Sequence, residues 1–331
     1  MLIPNARELL SERFALLDEE FAGAVIDGLS RPQKSLPCRF FYDARGSALF
    51  EEITRLPEYY LTRTEAAILA ANAAHMAEGI PDGGVLVEFG SGSSLKTEIL
   101  LDELPHLGAY VSIDVSPSAL ADAKQRLAAR FPGLDVRPTL GDFLRPVALP
   151  AEFALRHKTG FFPGSTIGNH TPVEAQRLLR NFRAMLSPGG RLIIGVDLKK
   201  DVRTLLLAYN DAAGVTAAFN LNLLARINRE IGPAFDLDAF RHEAIYNSRD
   251  GRIEMYLVST RDQRVTIGQI GLTVDFAANE TIHTENSYKY SLMEIRAVAT
   301  AAGFQDQRFW QDAAGRFNLH LLATRIDSVD A

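Results

Sequence analysis

The sequence predicts an α/β protein built on a doubly wound parallel sheet, with a second, smaller α+β domain set into it. Three observations carry this expectation. Short, nearly all-apolar runs alternate with helical stretches from GVLVEFG to GGRLIIGVDL, the pattern of strands buried on both faces. Residues 202–285 break that rhythm with a helical tract followed by alternating strand-like runs. A glycine turn, VEFGSGSS, closes the first apolar run and leads into a helix.

Taken in order, residues 5–30 read as helical, with Leu9, Leu10, Phe14, Leu17, Phe21 and Val25 at helical spacing. Pro- and aromatic-rich pieces follow, and a helix runs from about Thr64 to GIPDGG. GVLVEFG is the first strand of the sheet and SSLKTEILLDEL its helix. AYVSIDVS is the second strand, and PSALADAKQRLAARF a helix with Pro117 near its start. VRPTLGDF and KTGFFPGSTIGN read as strands three and four. TPVEAQRLLRNFRAML is a helix with Thr171 as N-cap and Pro172 in its first turn, and GGRLIIGVDL is strand five. In the break, TLLLAYN and GVTAAFNLNLLARINREI are helical and IEMYLVSTRDQRVTIG is strand-like. SLMEIRAVATAAGF is the closing helix, and DQRFWQD and FNLHLLATRI form a hairpin around Ala313, Ala314 and Gly315.

Composition narrows the function. The 331 residues are 47% hydrophobic and 23% charged, with a net charge of -6. That balance offers no basic field for nucleic acid or anionic lipid. Cys38 is the only cysteine, which excludes an internal disulfide and a thiolate metal cluster. The seven histidines show no metal-ligand spacing, so no metal is expected. No apolar run reaches membrane-spanning length, and the N-terminus is broken by acids. The expectation is a cytoplasmic, monomeric protein acting on a small molecule, with no nucleic-acid or membrane partner.

The glycine turn can be tested by spacing. Gly90 and Gly92 let the backbone approach a ligand at a helix N-terminus. A dinucleotide fingerprint wants a small residue where Leu95 stands, and a phosphate-binding P-loop wants glycine immediately before Lys96, where Leu95 stands again. A third use fits. E-F-G-S-G is followed by Asp114 closing the second strand and Asp142 in GDF after the third. This order resembles the Rossmann-like S-adenosylmethionine-dependent methyltransferases. The resemblance implies that Gly90 and Gly92 make room for the methionine part, Asp114 accepts from both ribose hydroxyls, and Asp142 with Phe143 holds adenine. Carboxylates suit a neutral diol and an amine and would repel nucleotide phosphates.

Longer motifs narrow the family. RFFYDARGSALFEEITRLPEYYLTRTE, VEFGSGSSLKTEILLDEL, FFPGSTIGNHTP, AYNDAAGVTAAFNLN, RIEMYLVS and IHTENSYKYS together resemble the histidine Nα-methyltransferases of ergothioneine biosynthesis over almost the whole chain. The resemblance implies a Rossmann-like methyltransferase domain over 63–200 and 287–331, and a family-specific substrate domain over 1–62 and 201–286. It places Tyr59, Gly90, Lys96, Asp114, Asp142 and Phe143 on the cofactor side, with Tyr59 also facing the amino acid. Asn169 and Tyr209 resemble the pair that holds the substrate carboxylate. Glu285 and Ser287 resemble the imidazole-reading pair, and Met255 a residue packed on the ring. Tyr42 resembles an aromatic neighbour of the reacting nitrogen.

Elementary chemistry agrees. An amide and a phenol bind a carboxylate without adding a buried charge, and a carboxylate rewards an imidazole N–H. Bland roles stand beside these: Asn169 as a turn residue, Tyr209 and Met255 as core, Lys96 as a helix-surface cation, Glu285 as a solvated strand charge. The resemblance implies three methyl transfers from S-adenosylmethionine to the α-amine of L-histidine, giving hercynine. No protein nucleophile is needed, and the amine's protons leave to solvent or through the Tyr42 and Tyr59 hydroxyls. The alternatives are the same fold acting on another amino acid such as tryptophan, or a non-catalytic adenosine-ligand binding module.

Overall fold

The computed structural model describes residues 18–92, 95–186 and 189–324. The part of the N-terminal helix expected to carry Leu9, Leu10, Phe14 and Leu17 lies outside them, as do Ser93 and Ser94 of the glycine segment. The described part runs Glu19–Leu29, capped by Asp18, whose carboxylate accepts the N–H groups of Glu20 and Phe21.

The chain divides into two compact units. One comprises Tyr60–Asp201, Ser248–Arg252 and the chain from Ser287 on; the other comprises the chain up to Tyr59, Val202–Asn247 and Ile253–Asn286. The first strand, β1 (Lys34–Ser35), belongs to the second of these.

The sheet unit starts with β2 (Val85–Phe89), β3 (Ala109–Asp114), β4 (Val136–Leu140), β5 (Lys158–Phe162) and β6 (Arg191–Asp197). The strands β12 (Phe304–Gln311) and β13 (Phe317–Thr324) complete it. Their spatial order is β12-β13-β6-β5-β2-β3-β4. β2 through β6 pair in parallel, while β13 runs antiparallel to both β6 and β12. This is a Rossmann-like sheet with an antiparallel strand added at β13, and its order reverses between β2 and β5, where open α/β sheets hold ligands beyond the strand ends.

Every residue of β2 and β5 is buried, which is why these strands read as mostly apolar runs, with Glu88 in β2 and Lys158 and Thr159 in β5 as buried polar exceptions. One face of the sheet packs Val85, Val87 and Phe89 against Leu178, Leu179 and Phe182 of the helix Pro172–Leu186. Phe89 and Phe182 stack with centroids 3.7 Å apart. The other face packs Leu86, Phe161 and Leu319 against Ile68, Leu69 and Met76 of the helix Tyr60–Ala77. The helix Pro117–Arg130 begins with Pro at its first position behind the Ser116 cap. Thr171 and Glu174 cap Pro172–Leu186 reciprocally, and Ser291 and Glu294 do so for Leu292–Ala301.

The smaller unit contains β7 (Phe240–Asn247), β8 (Arg252–Ser259) from Ile253 on, β9 (Gln263–Ile267), β10 (Leu272–Phe276) and β11 (Thr281–Tyr288) up to Asn286. β1, β11, β8 and β7 form one sheet in that order; β9 and β10 form a separate antiparallel hairpin. The helices Ala44–Ile53 and Val215–Glu230 pack together beside it. Asp43 caps the first through the Gly46 N–H and accepts from Asn222 Nδ2 of the second at 2.9 Å. No helix among the described residues is long and apolar enough to cross a membrane.

Candidate active site

In the sheet unit, the glycine turn and the ends of β3 and β4 converge. Gly90 adopts φ +74°, and a Cβ there would lie 3.2 Å from Cε1 of Phe143. Only glycine keeps that approach open without strain. The Gly92 N–H donates to Asp114 Oδ2 at 3.1 Å, and the Ser116 N–H donates to Asp114 Oδ1 at 2.9 Å. A carboxylate has about four acceptor directions, and these two bonds fix its orientation at the strand end. Asp142 Oδ1 accepts the Leu144 N–H at 2.9 Å. Phe143 is half-buried, edge-on to Phe162 with centroids 5.6 Å apart. A glycine gap beside an aromatic edge, with a carboxylate held at the next strand end, fits an adenosine bearing an uncharged diol.

Lys96 sits at the start of the helix Leu95–Leu101, and its ammonium pairs with Glu65 Oε2 at 2.5 Å. Glu65, wholly buried, also accepts the Gly164 N–H at 2.9 Å. The lysine therefore ties the glycine segment to the loop after β5. Glu65 escapes a sequence reading because its partners lie 31 and 99 positions away. Glu88, buried in β2, accepts from the Tyr110 hydroxyl; burial pushes its carboxyl up to about 7.

The loop after β5 turns through Ser165, at φ 59°, into a short 3-10 turn, Thr166–Asn169. Asn169 ends that turn, half-buried, with Ile167 and Gly168 buried behind it. His170, next along, is held below its ordinary pKa by burial.

A second group in the same unit surrounds the end of β6. Asp197 is wholly buried and accepts the Tyr60 hydroxyl at 2.7 Å. Two ammonium groups share it: Lys200 at 2.5 Å and Lys289 at 2.9 Å. Burial brings Lys200 down to about 8 against the opposing pull of Asp197. Lys289 also donates to Ser287 Oγ at 2.8 Å. Of this group the sequence reading singled out Ser287 alone; the signals were the VDLKK ending of β6 and the lysine in SYKYS.

In the smaller unit, three of the expected aromatics come together. Tyr42 lies edge-on to Phe50 (5.6 Å) and Phe219 (5.8 Å), Phe50 edge-on to Tyr59 (6.2 Å), and Tyr59 edge-on to Tyr209 (6.5 Å). Phe50, on the helix Ala44–Ile53, had not been singled out. Burial, then the charge of Glu285, raises the Tyr42 phenol well above its ordinary value, and the same two causes push the Cys38 thiol up to about 12. Glu285 therefore belongs electrostatically with this group. Met255 is buried in β8, and its carbonyl accepts the Thr284 hydroxyl of β11 at 3.1 Å. Asp211 caps Val215–Glu230 through the N–H groups of Val215 and Thr216, which anchors the loop carrying Tyr209. His242 Nε2 meets the Tyr209 carbonyl at 2.8 Å, and Asn220 Nδ2 meets its Nδ1 at 2.8 Å. Since an amide N–H can only donate, this histidine carries its proton on Nε2.

Comparison with known proteins places this architecture in a family. Residues 21–324 match the model of a family described as histidine-specific methyltransferase, SAM-dependent. The chain is 44% identical over 303 residues to the histidine N-alpha-methyltransferase of Mycobacterium tuberculosis, covering 90% of this chain and 93% of that one. It is 44% identical over 297 residues to the protein of the same name from Mycolicibacterium smegmatis, covering 89% and 92%. It is 34% identical over 312 residues to ergothioneine biosynthesis protein 1 of Neurospora crassa, covering 90% of this chain and 34% of that one. With the sheet order, the glycine gap at Gly90 and the fixed Asp114 carboxylate, these matches show that the chain belongs to the histidine-specific methyltransferases and takes S-adenosylmethionine as its methyl donor.

Proposed function

We propose that this methyltransferase acts on the α-amine of L-histidine three times, giving hercynine, and so serves ergothioneine biosynthesis. The observation that carries the reading is the aromatic group of Tyr42, Phe50, Tyr59 and Tyr209 in the unit that also holds Glu285. Ring faces attract a cation, and an amine that gains methyl groups ends as a permanent one. A carboxylate nearby suits an imidazole N–H.

Bound S-adenosylmethionine supplies a methyl group already activated on a sulfonium. Gly90, Gly92, Asp114, Asp142 and Phe143 are proposed to hold it through backbone approach, the diol and the adenine, with Lys96 fixing the turn through Glu65. Asn169 and Tyr209 are proposed to take the amino-acid carboxylate, Glu285 and Ser287 the ring, and Met255 to pack against it. Cofactor binding is thereby assigned to the sheet unit and most of the amino-acid recognition to the smaller one. The protein's work is alignment and exclusion of water.

The raised Tyr42 phenol bears on the proton. Before each of the three transfers the amine must shed one proton to expose its lone pair. Tyr42 stays protonated at neutral pH, so it serves as a neutral hydrogen-bonding neighbour and not as a phenolate base. The protons are proposed to leave to solvent.

The test is mass spectrometry of the purified protein with S-adenosylmethionine and each of the twenty amino acids. Histidine gaining up to three methyl groups is the expected result. Methylation of tryptophan in preference to histidine, or of none, would reject the reading.

A further inference from the structure

The segment AYND forms a turn between two helices of the smaller unit, Val202–Leu207 and Val215–Glu230, and three consecutive residues anchor it. His242 Nε2 meets the Tyr209 carbonyl at 2.8 Å. Asn210 Nδ2 donates to the Ala244 carbonyl at 3.2 Å. Asp211 accepts the N–H groups of Val215 and Thr216, both at 2.8 Å. The Asp211 carboxylate alone would satisfy the start of the second helix. His242 and Ala244 both belong to β7, so the other two ties hold the turn to the sheet and fix the residue that carries the phenol.

The direction of the His242 tie is set by Asn220. Its amide nitrogen also donates to the Tyr256 carbonyl, at 3.0 Å. A carbonyl can only accept, so the atom facing it is the nitrogen, and the amide cannot be turned round. The second hydrogen of that nitrogen then points at His242 Nδ1, 2.8 Å away, which must be a bare acceptor. The single proton of the neutral ring is left on Nε2, facing the Tyr209 carbonyl. Burial favours that neutral ring, lowering the His242 pKa against the opposing pull of the Tyr209 carbonyl, Asp211 and Glu243. One directed chain thereby joins Tyr256 of β8, Asn220 of the helix Val215–Glu230, His242 of β7 and the carbonyl of Tyr209.

The phenol oxygen stands at the far end of a long side chain, so a small rotation of the peptide plane at Tyr209 is magnified there. We infer that His242 is a positioning residue for the amino acid: by holding the Tyr209 carbonyl through its Nε2–H, it sets where the Tyr209 hydroxyl stands for the substrate carboxylate. The inference rests on the proposed contact of Tyr209 with that carboxylate, and adds to it the residue and the proton that place it. A displaced phenol weakens amino-acid binding and leaves the cofactor untouched.

Calorimetry tests it, with L-histidine titrated into protein holding S-adenosylhomocysteine and the cofactor titrated alone. His242→Leu keeps much of the bulk and loses the donor. It should weaken histidine binding about tenfold, the loss of one hydrogen bond, and leave cofactor affinity within about twofold of wild type. His242→Gln places an amide N–H near the position of Nε2 and should restore histidine affinity to within about twofold of wild type. In the Tyr209→Phe background, His242→Leu should weaken histidine binding no further. Additive losses in the double variant, or an equal loss of cofactor affinity, would show that His242 supports the fold at large and would overturn the inference. Wild-type affinity in His242→Leu, with Tyr209→Phe impaired, would overturn it too and leave the Tyr209 contact standing. Wild-type affinity in Tyr209→Phe would remove that contact and the inference with it. Nitrogen NMR of the wild-type imidazoles, with His242 assigned by the signal that His242→Gln lacks, reads the tautomer directly. A proton on Nδ1 in place of Nε2 would overturn the inference even where His242→Leu does not fold.

Discussion

Ser165 Oγ accepts the backbone N–H of Asp197 at 2.9 Å, and it does so from a left-handed backbone at φ 59°. The loop after β5 is thus pinned to the end of β6, beside the carboxylate that holds Lys200 and Lys289. A left-handed conformation costs a non-glycine residue about 1–2 kcal/mol, and the hydrogen bond offsets that cost.

Two substitutions separate these contributions. Ser165→Ala keeps the strain and strands a buried N–H, so it should destabilise by about 1–3 kcal/mol. Ser165→Gly also loses the bond but relieves the strain, so it should be less destabilising than alanine. Urea denaturation of both variants checks the order; glycine at or below alanine would contradict it.

Glu88 gives the fold a pH signature. Its carboxyl stands at about 7 in the folded chain, against an ordinary 4.5. Between those values the folded chain holds a proton that the unfolded chain has released, so stability falls as pH rises through that window. The full effect is about 3 kcal/mol. Glu88→Gln cannot titrate. Its stability relative to wild type should therefore climb by about that amount from pH 4.5 to above 7, then level off. Denaturation midpoints at several pH values read this directly, and a flat difference would refute it.

Asp114 is held by the Gly92 and Ser116 N–H groups at the edge of the glycine turn. Asp114→Ala should weaken S-adenosylmethionine binding by about 1.5–3 kcal/mol through loss of a charge-assisted contact. Calorimetry with the cofactor alone measures it. Unchanged affinity would remove Asp114 from the cofactor side.

Glu285→Ala should lower the preference for histidine over tryptophan by about ten- to a hundredfold, equivalent to roughly 1.5–3 kcal/mol. The removed carboxylate rewards an imidazole N–H and is left desolvated under an indole. Competition between the two amino acids, read as a ratio of kcat/KM values, checks it. A ratio equal to that of wild type would return Glu285 to the role of a strand charge.

Gly195, in the middle of β6, predicts a purely structural lesion. A Cβ there would lie 2.1 Å from Glu65 Oε1 and 3.1 Å from Cζ of Phe317. Glu65 cannot retreat without breaking its ties to Lys96 and Gly164. Gly195→Ala should cost about 2–4 kcal/mol. A loss below 0.5 kcal/mol would show that the Glu65 side chain has room to move.

The parallel core of the sheet was legible because β2 and β5 are buried on every residue, and burial on both faces favours apolar residues, with Glu88, Lys158 and Thr159 as the exceptions. The closing hairpin was legible from Gly315 between two alternating runs. The span of β11 was not, although Glu285 was read as a possible strand charge: TIHTENSY buries Thr284 and Ser287 through hydrogen bonds, so it lacks the apolar period that would bound the strand. β7 was missed because FRHEAIYN keeps charged residues on its outer face. Of the candidate site, the glycines, acids and aromatics could be found because each sits in a local motif. The pairs Glu65–Lys96 and Asp197–Lys289 could not, since nothing in the spacing of two distant charges says that they meet.

The placing of β13 bears on how the chain is made. It is the last of the described strands to be synthesised, yet it lies inside the sheet, between β6 and β12. Until residues 317–324 leave the ribosome, one whole side of β6, a strand buried over Leu192–Asp197, has no neighbour. An open apolar edge is a template for another chain. Loss of β13 would therefore open the middle of this sheet rather than trim its border, and the nascent polypeptide carries that open apolar edge from the synthesis of β6 until β13 is available to cover it.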